Sequence, residues 1–423
     1  MLFRSQPTLT ASAVWAHALL QVAFAGALLL TTAAMYPVVS HVFGEPVGTI
    51  LVVIAAVRLV LAFGATSRVV LERELRFTAL GAVNMLAATA SLGLGVLLAS
   101  RGYGIWALAL AAGPPSLVGA SIQTAGYLVL RPLELRRFTI DVPKLRWYLS
   151  YGRTLWLGGQ AFTLSTQLDN IIVGTFLGPV ALALYDRAYR VVQTAVALVN
   201  QTFGRVALPI YARLHAVDAE KGRRFQELNA GLLVRLVLPA GVLLTLAASE
   251  TTSLLLGPGW EGAAVLLALL GPYLVFRVLD ENLLAYLLGA GCNWERTAGW
   301  LITAGISILG LPLGVALAGI VGAPVAVGLA MAAGTCWQQY KVGPGSLTRM
   351  ASDSFRPLLI ALTAGGVALA LANRTSLGGA VEALTLKAAI LLLSYVGLLL
   401  LFEGGRVWRL VEKFRYSQDL VGA

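Results

Sequence analysis

Apolar residues along this 423-residue chain run in continuous stretches rich in Leu, Ala, Val and Gly, without the period-2 alternation of a barrel strand. Twelve stretches are predicted as helices, at residues 12–36, 47–66, 77–99, 104–130, 151–175, 180–204, 229–255, 262–290, 297–319, 321–340, 357–373 and 381–402. Crossing a hydrocarbon core about 30 Å thick takes about 20 apolar residues per helix, which most of them supply. The connections between them alternate in charge. Those following Thr66, Leu130, Arg205, Gly291, Tyr340 and Phe402 hold Lys and Arg, whereas the alternate ones hold only Arg101 and Arg374. Because Lys and Arg resist translocation, the basic connections mark the cytosolic face. An even number of spans with Arg4 inside puts both termini in the cytosol, the second with Arg406, Arg409, Lys413 and Arg415. The fold class is therefore an all-α polytopic membrane protein of about 12 transmembrane helices.

Composition agrees with this pattern: 58% of residues are hydrophobic, 12% are charged and mean hydropathy is +0.80. A net charge of +11 would point to nucleic acid in a soluble protein. Here the charge asymmetry of the connections and attraction to anionic lipid account for it, so no nucleic-acid partner is expected. Cys292 and Cys336, with His17, His41 and His215 far apart, offer neither a disulfide framework nor a metal set. No cofactor is expected, and coupling to a proton or sodium gradient is left open. The phosphate loop, nucleophile elbow and H-E-x-x-H motifs are absent. The opening residues lack a charged leader and an A-x-A site, so no cleaved signal is expected. External turns are short (Gly178-Pro179, Gly257-Pro-Gly-Trp260, Gly319-Ile-Val-Gly322), which leaves no room for extracytosolic catalysis. The basic connection 131–150, with Arg131, Arg136, Arg137, Lys144 and Arg146, divides four helices from eight. It reads as a cytosolic linker or as an ordinary basic loop.

Charged side chains inside spans cost roughly 2.5–3.5 kcal/mol each on insertion scales, so they face a cavity or a partner. On the fifth stretch Arg153, Gln160, Thr163, Thr166, Gln167, Asn170 and Gly174 fall within about 140° of arc, with Asp169 about 60° beyond. Such a stripe lines a water-filled cavity or makes hydrogen bonds in a dry helix interface. On the sixth, Asp186, Arg190, Gln193, Ala197, Asn200, Gln201 and Gly204 share a face, and Asp186 can pair with Arg190 four residues on. The eighth stretch carries Arg277, Asp280, Glu281 and Asn282 beyond a kink expected at Pro272. An Arg277–Glu281 pair would leave Asp280 as a spare carboxylate, an ion-coupling candidate or part of a fixed charge network. Arg58 has no carboxylate in its own span and needs an anion from elsewhere, a phosphate or a group on a neighbouring helix. Arg235 and Lys387 lie near span ends and read as snorkelling.

The run from Tyr151-Gly-Arg through Gln167-Leu-Asp-Asn-Ile-Ile-Val-Gly to Tyr185-Asp-Arg-Ala-Tyr-Arg190 resembles the polysaccharide-transport family, the Wzx-type flippases of O-antigen, exopolysaccharide and teichoic-acid export. Asn200-Gln201, Arg205-Val-Ala-Leu-Pro209, Leu71-Glu-Arg-Glu-Leu-Arg76-Phe, Gly102-Tyr-Gly-Ile-Trp-Ala-Leu108 and Leu256-Gly-Pro-Gly-Trp260 carry the same likeness, above all to the colanic-acid-exporter branch. The resemblance implies two lobes of the multidrug/oligosaccharidyl-lipid/polysaccharide superfamily. It also implies a flippase that translocates an undecaprenyl-pyrophosphate-linked oligosaccharide across the bacterial inner membrane by alternating access. Lipid-linked oligosaccharide, membrane lipids and other polysaccharide assembly proteins are the implied partners. Family cavities are cationic, a role that falls here to Arg58, Arg153, Arg190 and Arg277, with Gln160, Gln167 and Asn170 beside them. Asp169, Asp280 and Glu281 are the ion-coupling candidates. Relatives have about 14 helices, and the stretch 12–36 resembles their third, so a four-helix, incomplete first lobe is expected at 1–130. The linker 131–150 follows, then a six-helix lobe at 151–342, then a final helix pair with basic tail at 343–423. A drug-extruding relative, which would want an acidic cavity, and a membrane-embedded polymerase, which would want a long outer loop, are the competing readings.

Overall fold

The computed structural model describes residues 11–73, 77–130, 141–372, 374 and 379–422, and the elements among them are helical. Arg4, Arg131, Arg136 and Arg137 lie outside the described residues. The chain divides into two compact units, Met1–Gly152 and Arg153–Ala423. In the first, α1 (Ala11–Phe43) packs along α2 (Glu45–Arg73), and α4 (Ile105–Leu130) packs on both α2 and α3 (Phe77–Ser100).

The long helix α5 (Val142–Val217) begins in the first unit and continues in the second, where it breaks at Gly178. Gly178 has φ 86 and ψ 178, a conformation that an L side chain resists, and Pro179 follows it. The break yields a first arm before Gly178 and a second arm after it. The second unit continues through α6 (Ala219–Leu246), α7 (Ala248–Leu255), α8 (Ala263–Leu269), α9 (Gly271–Gly289), α10 (Asn293–Ala318), α11 (Gly322–Val342), α12 (Ser346–Ala372) and α13 (Ala380–Gly422). The final pair, α12 and α13, packs on α6 and so belongs to this unit.

Nine helical segments among the described residues are long and apolar enough to cross a membrane, or ten if one bent pair is a single span. Two of them, 53 and 50 residues long, contain the break at Gly178 and the short 3₁₀ turn Gly319–Val321. Each therefore holds two of the expected stretches, and all twelve stretches find a counterpart. The chain is a multi-pass helical membrane protein, with large apolar side chains such as Leu309, Leu317, Leu393 and Leu401 fully displayed on its outer faces.

Helix ends differ from the apolar stretches. The helix α6 starts ten residues before its apolar part, with the Asp218 side chain accepting from the Glu220 backbone N–H at 2.9 Å. The helix α13 runs through the basic tail as far as Gly422. The expected kink near Pro272 is a 48° bend between α8 and α9, centred on Leu270. Pro272 sits in the first turn of α9, where its missing N–H costs no hydrogen bond.

The core of the second unit is built around α9. Leu266, Leu267, Leu270, Tyr273, Leu283 and Leu287 are buried there with Val173, Tyr185, Val192, Leu311 and Ala361. Helices α6 and α9 approach closely at Gly241 and Gly271, where a Cβ on Gly271 would lie 2.7 Å from the Gly241 carbonyl oxygen. Arg235 and Lys387 do not snorkel. Arg235 is buried on α6, donating to Glu403 of α13 at 2.9 Å and to the Gly231 carbonyl at 2.9 Å. Lys387 of α13 pairs with Glu250 of α7 and donates to the Leu246 carbonyl at 3.1 Å. Two ion pairs thus fasten the last helix to the rest of its unit.

Removing one partner of a buried pair strands the other charge, at about 3–5 kcal/mol. Glu403→Gln is expected to lower the thermal unfolding midpoint in detergent strongly, and the double change Arg235→Met with Glu403→Leu to recover most of it. Equal midpoints for the single variant and wild type would show that the pair does not hold α13.

Candidate substrate and coupling sites

In the first unit the best candidate is a cleft of about 460 Å³ between α2, α3 and α4. Arg58, Leu61, Gly64, Ala65 and Arg68 line it from α2, within about 120° of arc. Asn84, Ala87, Ala88 and Ser91 face it from α3, and Ser116, Gly119 and Ala120 from α4. The cleft exists because its floor is small. A Cβ on Gly64 would press on Ala120 and Thr124, and one on Gly119 would touch Ala87. Arg58 is exposed into this space, and no carboxylate among the described residues pairs with it. Sequence reasoning missed Arg68, having assigned it to a basic connection. The small residues at 64 and 65, one face with Arg58, were the signal that the helix and its polar wall continue.

In the second unit the first arm of α5 has two opposed faces. Gly158, Ala161, Ser165, Asp169 and Val173 are buried, whereas Arg153, Gln160, Thr163 and Gln167 are exposed and Asn170 is half-buried. The stripe read from the sequence is thus an exposed polar surface of this unit. Asp169 leaves it and is fully buried, accepting from the Tyr185 hydroxyl at 2.8 Å and from the Asn170 backbone N–H at 2.8 Å. On the second arm Arg190 is exposed and paired with Asp186 at 2.7 Å. Its neighbour Arg187 lies over the Trp260 ring, 5.8 Å from the centroid. The turn bearing Trp260 uses Gly257 and Gly259 at positive φ. Backbone N–H groups of Glu261 itself and of Gly259 hold the Glu261 carboxyl below its ordinary range.

Arg277 sits apart from the exposed arginines. It is buried on α9 beside the edge-to-face pair of rings Phe162 and Trp300, 5.4 and 5.6 Å from their centroids. Its guanidinium bridges two carboxylates, Asp280 at 3.1 Å and Glu281. Asp280 also accepts from Gln338 of α11 at 3.0 Å, and Glu281 from Asn200 of α5 at 3.0 Å. Asp280 is therefore not left spare by an Arg277–Glu281 pair, because the three-residue and four-residue spacings let one guanidinium reach both. Above this cluster the Tyr189 and Tyr273 hydroxyls share a hydrogen bond of 2.7 Å, and Gln193 donates to Tyr273 at 3.1 Å. Below it Asn282 accepts from Tyr211 and Asn229, both at 2.7 Å. Neither the tyrosines nor Gln338 stood out in the sequence, since one polar group on an apolar helix face carries no periodic signal.

Among the described residues no group of three or more His, Cys, Asp or Glu side chains could hold a metal ion.

Residues 5–265 match the model of a family described as polysaccharide biosynthesis protein. The teichuronic acid biosynthesis protein TuaB of Bacillus subtilis (strain 168) is 27% identical over 177 residues, 40% of this chain and 36% of that protein. The chain thus matches about a third of that relative's length. Among solved structures, the lipid II flippase MurJ in an inward closed conformation aligns with a TM-score of 0.71 at 11% identity, over 96% of this chain and 87% of that one. That likeness is one of fold.

Tyr185→Phe removes the hydroxyl that Asp169 accepts from, leaving a buried carboxylate short of a donor at about 1–3 kcal/mol. The expected result is a lowered unfolding midpoint in detergent for Tyr185→Phe and a smaller change for Asp169→Asn, which keeps an acceptor for the phenol. A midpoint unmoved by Tyr185→Phe would mean that this bond does not hold Asp169.

Proposed function

The chain belongs to the polysaccharide biosynthesis protein family, and from that premise we propose that it is a flippase for a polyprenyl-pyrophosphate-linked oligosaccharide. It works in the bacterial inner membrane by alternating access, with both termini in the cytosol and no chemical change to the cargo. The flippase fold and the teichuronic acid relative support this reading. The observation that carries it is the cleft of the first unit, where Arg58 stands in the membrane-spanning part of α2 without a carboxylate partner among the described residues.

A guanidinium held in a low-dielectric cleft is costly alone and gains most from a phosphate, whose oxygens fit its planar fork. Arg68 adds a second guanidinium to the same wall, and Asn84, Ser91 and Ser116 add hydrogen-bonding groups suited to a diphosphate or its first sugar. In the second unit Arg153, Gln160, Gln167 and Asn170 present a further polar surface for the glycan. Arg190 and Arg277 contribute less to anion binding, because their charge is already answered by Asp186, Asp280 and Glu281. A cation-extruding transporter would place carboxylates where this cleft places arginines. Asp169, Asp280 and Glu281 remain the groups through which a proton or sodium gradient would be coupled.

In proteoliposomes with a fluorescent lipid-linked oligosaccharide, Arg58→Ala and Arg68→Ala should each slow flipping by about tenfold, corresponding to about 1.4 kcal/mol. Arg58→Lys should keep part of the activity, as a point charge without the fork. Arg190→Ala should have a smaller effect. Undiminished flipping in both alanine variants, at equal protein levels, would remove the headgroup from this cleft.

A further inference from the structure

Beside the Arg277 cluster lies a small chamber of about 20 Å³, lined by Asn200, Asn229, Glu281 and Asn282 with Val196, Val199, Ala207, Leu233 and Val278. A cavity needs roughly 10–15 Å³ on this measure, and two to four polar partners, to hold one water. The chamber meets both conditions. Asn282 supplies the independent sign of an occupant. It is buried, its oxygen takes two hydrogen bonds, and its Nδ2 has no partner among the described residues. A buried amide donor left empty costs about 1–3 kcal/mol, which one acceptor in the chamber would remove.

The two carboxylates of the cluster stand differently toward this space. Both have both oxygens engaged, Asp280 by Arg277 and Gln338 and Glu281 by Arg277 and Asn200, but the Asp280 side chain is only 2% exposed and does not line the chamber. Glu281 lines the chamber, and its side chain keeps 14% exposure. Among the described residues the charges facing Glu281 are Arg277 and Asp280 on its own helix and, beyond ion-pairing distance, Arg296 of α10. The neutral polar groups sharing the chamber with it are Asn200 of α5, Asn229 of α6 and Asn282 of α9. In contact, one guanidinium is set against two carboxylates, and the second negative charge is answered only by the more distant Arg296. Protonating Glu281 leaves Arg277 and Asp280 as a balanced pair with the Gln338 bond intact.

We propose that this chamber holds a single water, bound by Asn282 Nδ2 and Glu281, and that Glu281 is the proton-exchanging carboxylate of the second unit. A hydronium reaching the chamber gives its proton to a Glu281 oxygen and remains as water, and the reverse step releases the proton. Asp280 stays as the fixed partner of Arg277. Use of this proton to drive export rests on the flippase reading, but the site itself does not.

Infrared difference spectra of the purified full chain in lipid nanodiscs, recorded during a pH titration without substrate, test the assignment. A titrating carboxyl band that shifts in heavy water is expected in the wild type. It should vanish in Glu281→Gln and move in Glu281→Asp, the variant that decides the matter should the glutamine form fail to fold. Asn282→Leu, which keeps the branching but removes the amide donor that would hold the water, should keep the band but slow its hydrogen–deuterium exchange at least tenfold. Survival of the band in Glu281→Gln, an unmoved band in Glu281→Asp, or wild-type exchange in Asn282→Leu would overturn the proposal. So would a thermal stabilisation specific to sodium over potassium that Glu281→Gln abolishes, which would put an ion where water is proposed. No substrate enters either readout, so this site and the flippase reading fail separately.

Discussion

A guanidinium inside a bilayer must be answered by the protein around it, and the Arg277 cluster shows how much structure that one requirement organises. Arg277 holds Asp280 and Glu281 together on α9, and each carboxylate then reaches a different helix, Asp280 to Gln338 of α11 and Glu281 to Asn200 of α5. Hydrogen bonds of Tyr189, Gln193, Tyr211 and Asn229 to Tyr273 and Asn282 fix the rotation of α9 further, which matters because lipid-facing surfaces supply no hydrophobic driving force between helices. Close approach at Gly241 and Gly271 brings α6 and α9 together, and the 48° bend before α9 gives that helix its own direction. Close packing thus acts at the start of α9 and charge pairing at its middle.

The same requirement explains the attachment of the last helix. Apolar helices in lipid gain little from packing on one another beyond van der Waals contact. The Arg235–Glu403 and Lys387–Glu250 pairs give α13 two fixed points on α6 and α7, near the two ends of its apolar part. A helix pair that follows a compact unit is held here by electrostatics at its ends and small residues along its length. Ala361, Ala364 and Ala368 of α12 are fully buried.

Much of this was legible in the sequence, and the limits have physical causes. Apolar length finds spans because hydrocarbon thickness sets it, so all twelve stretches have counterparts. It does not find helix ends, because α6 and α13 continue into polar sequence where the bilayer no longer dictates composition. Arg68 was placed in a connection for that reason, although α2 runs on to Arg73. Angular position on a helix was also legible: the exposed and buried faces of the α5 first arm follow the wheel. Partners were not. Tyr185 answers Asp169 from 16 residues away, Gln338 answers Asp280 from 58 and Asn200 answers Glu281 from 81. A single chain's periodicity carries no information about which distant helix will stand opposite. Snorkelling was a sound inference for Arg235 only while Glu403 was out of sight.

What separates a guanidinium that serves as a strut from one free to take a ligand is the volume of its neighbours. Around Arg277 stand Phe162, Trp300, Tyr189 and Tyr273, large rings that leave no room for a ligand, and its charge is met by side chains in contact. Around Arg58 stand Gly64, Ala65, Ala87, Ala88, Gly119 and Ala120, and the room they leave is the cleft itself. Both arginines occupy the middle of an apolar helix, and insertion cost treats them alike. On the reading proposed above, small residues on three neighbouring helices turn that cost into a binding capacity, because an anion entering the cleft would relieve it. Enlarging any of them would narrow the cleft and leave Arg58 with neither ligand nor partner.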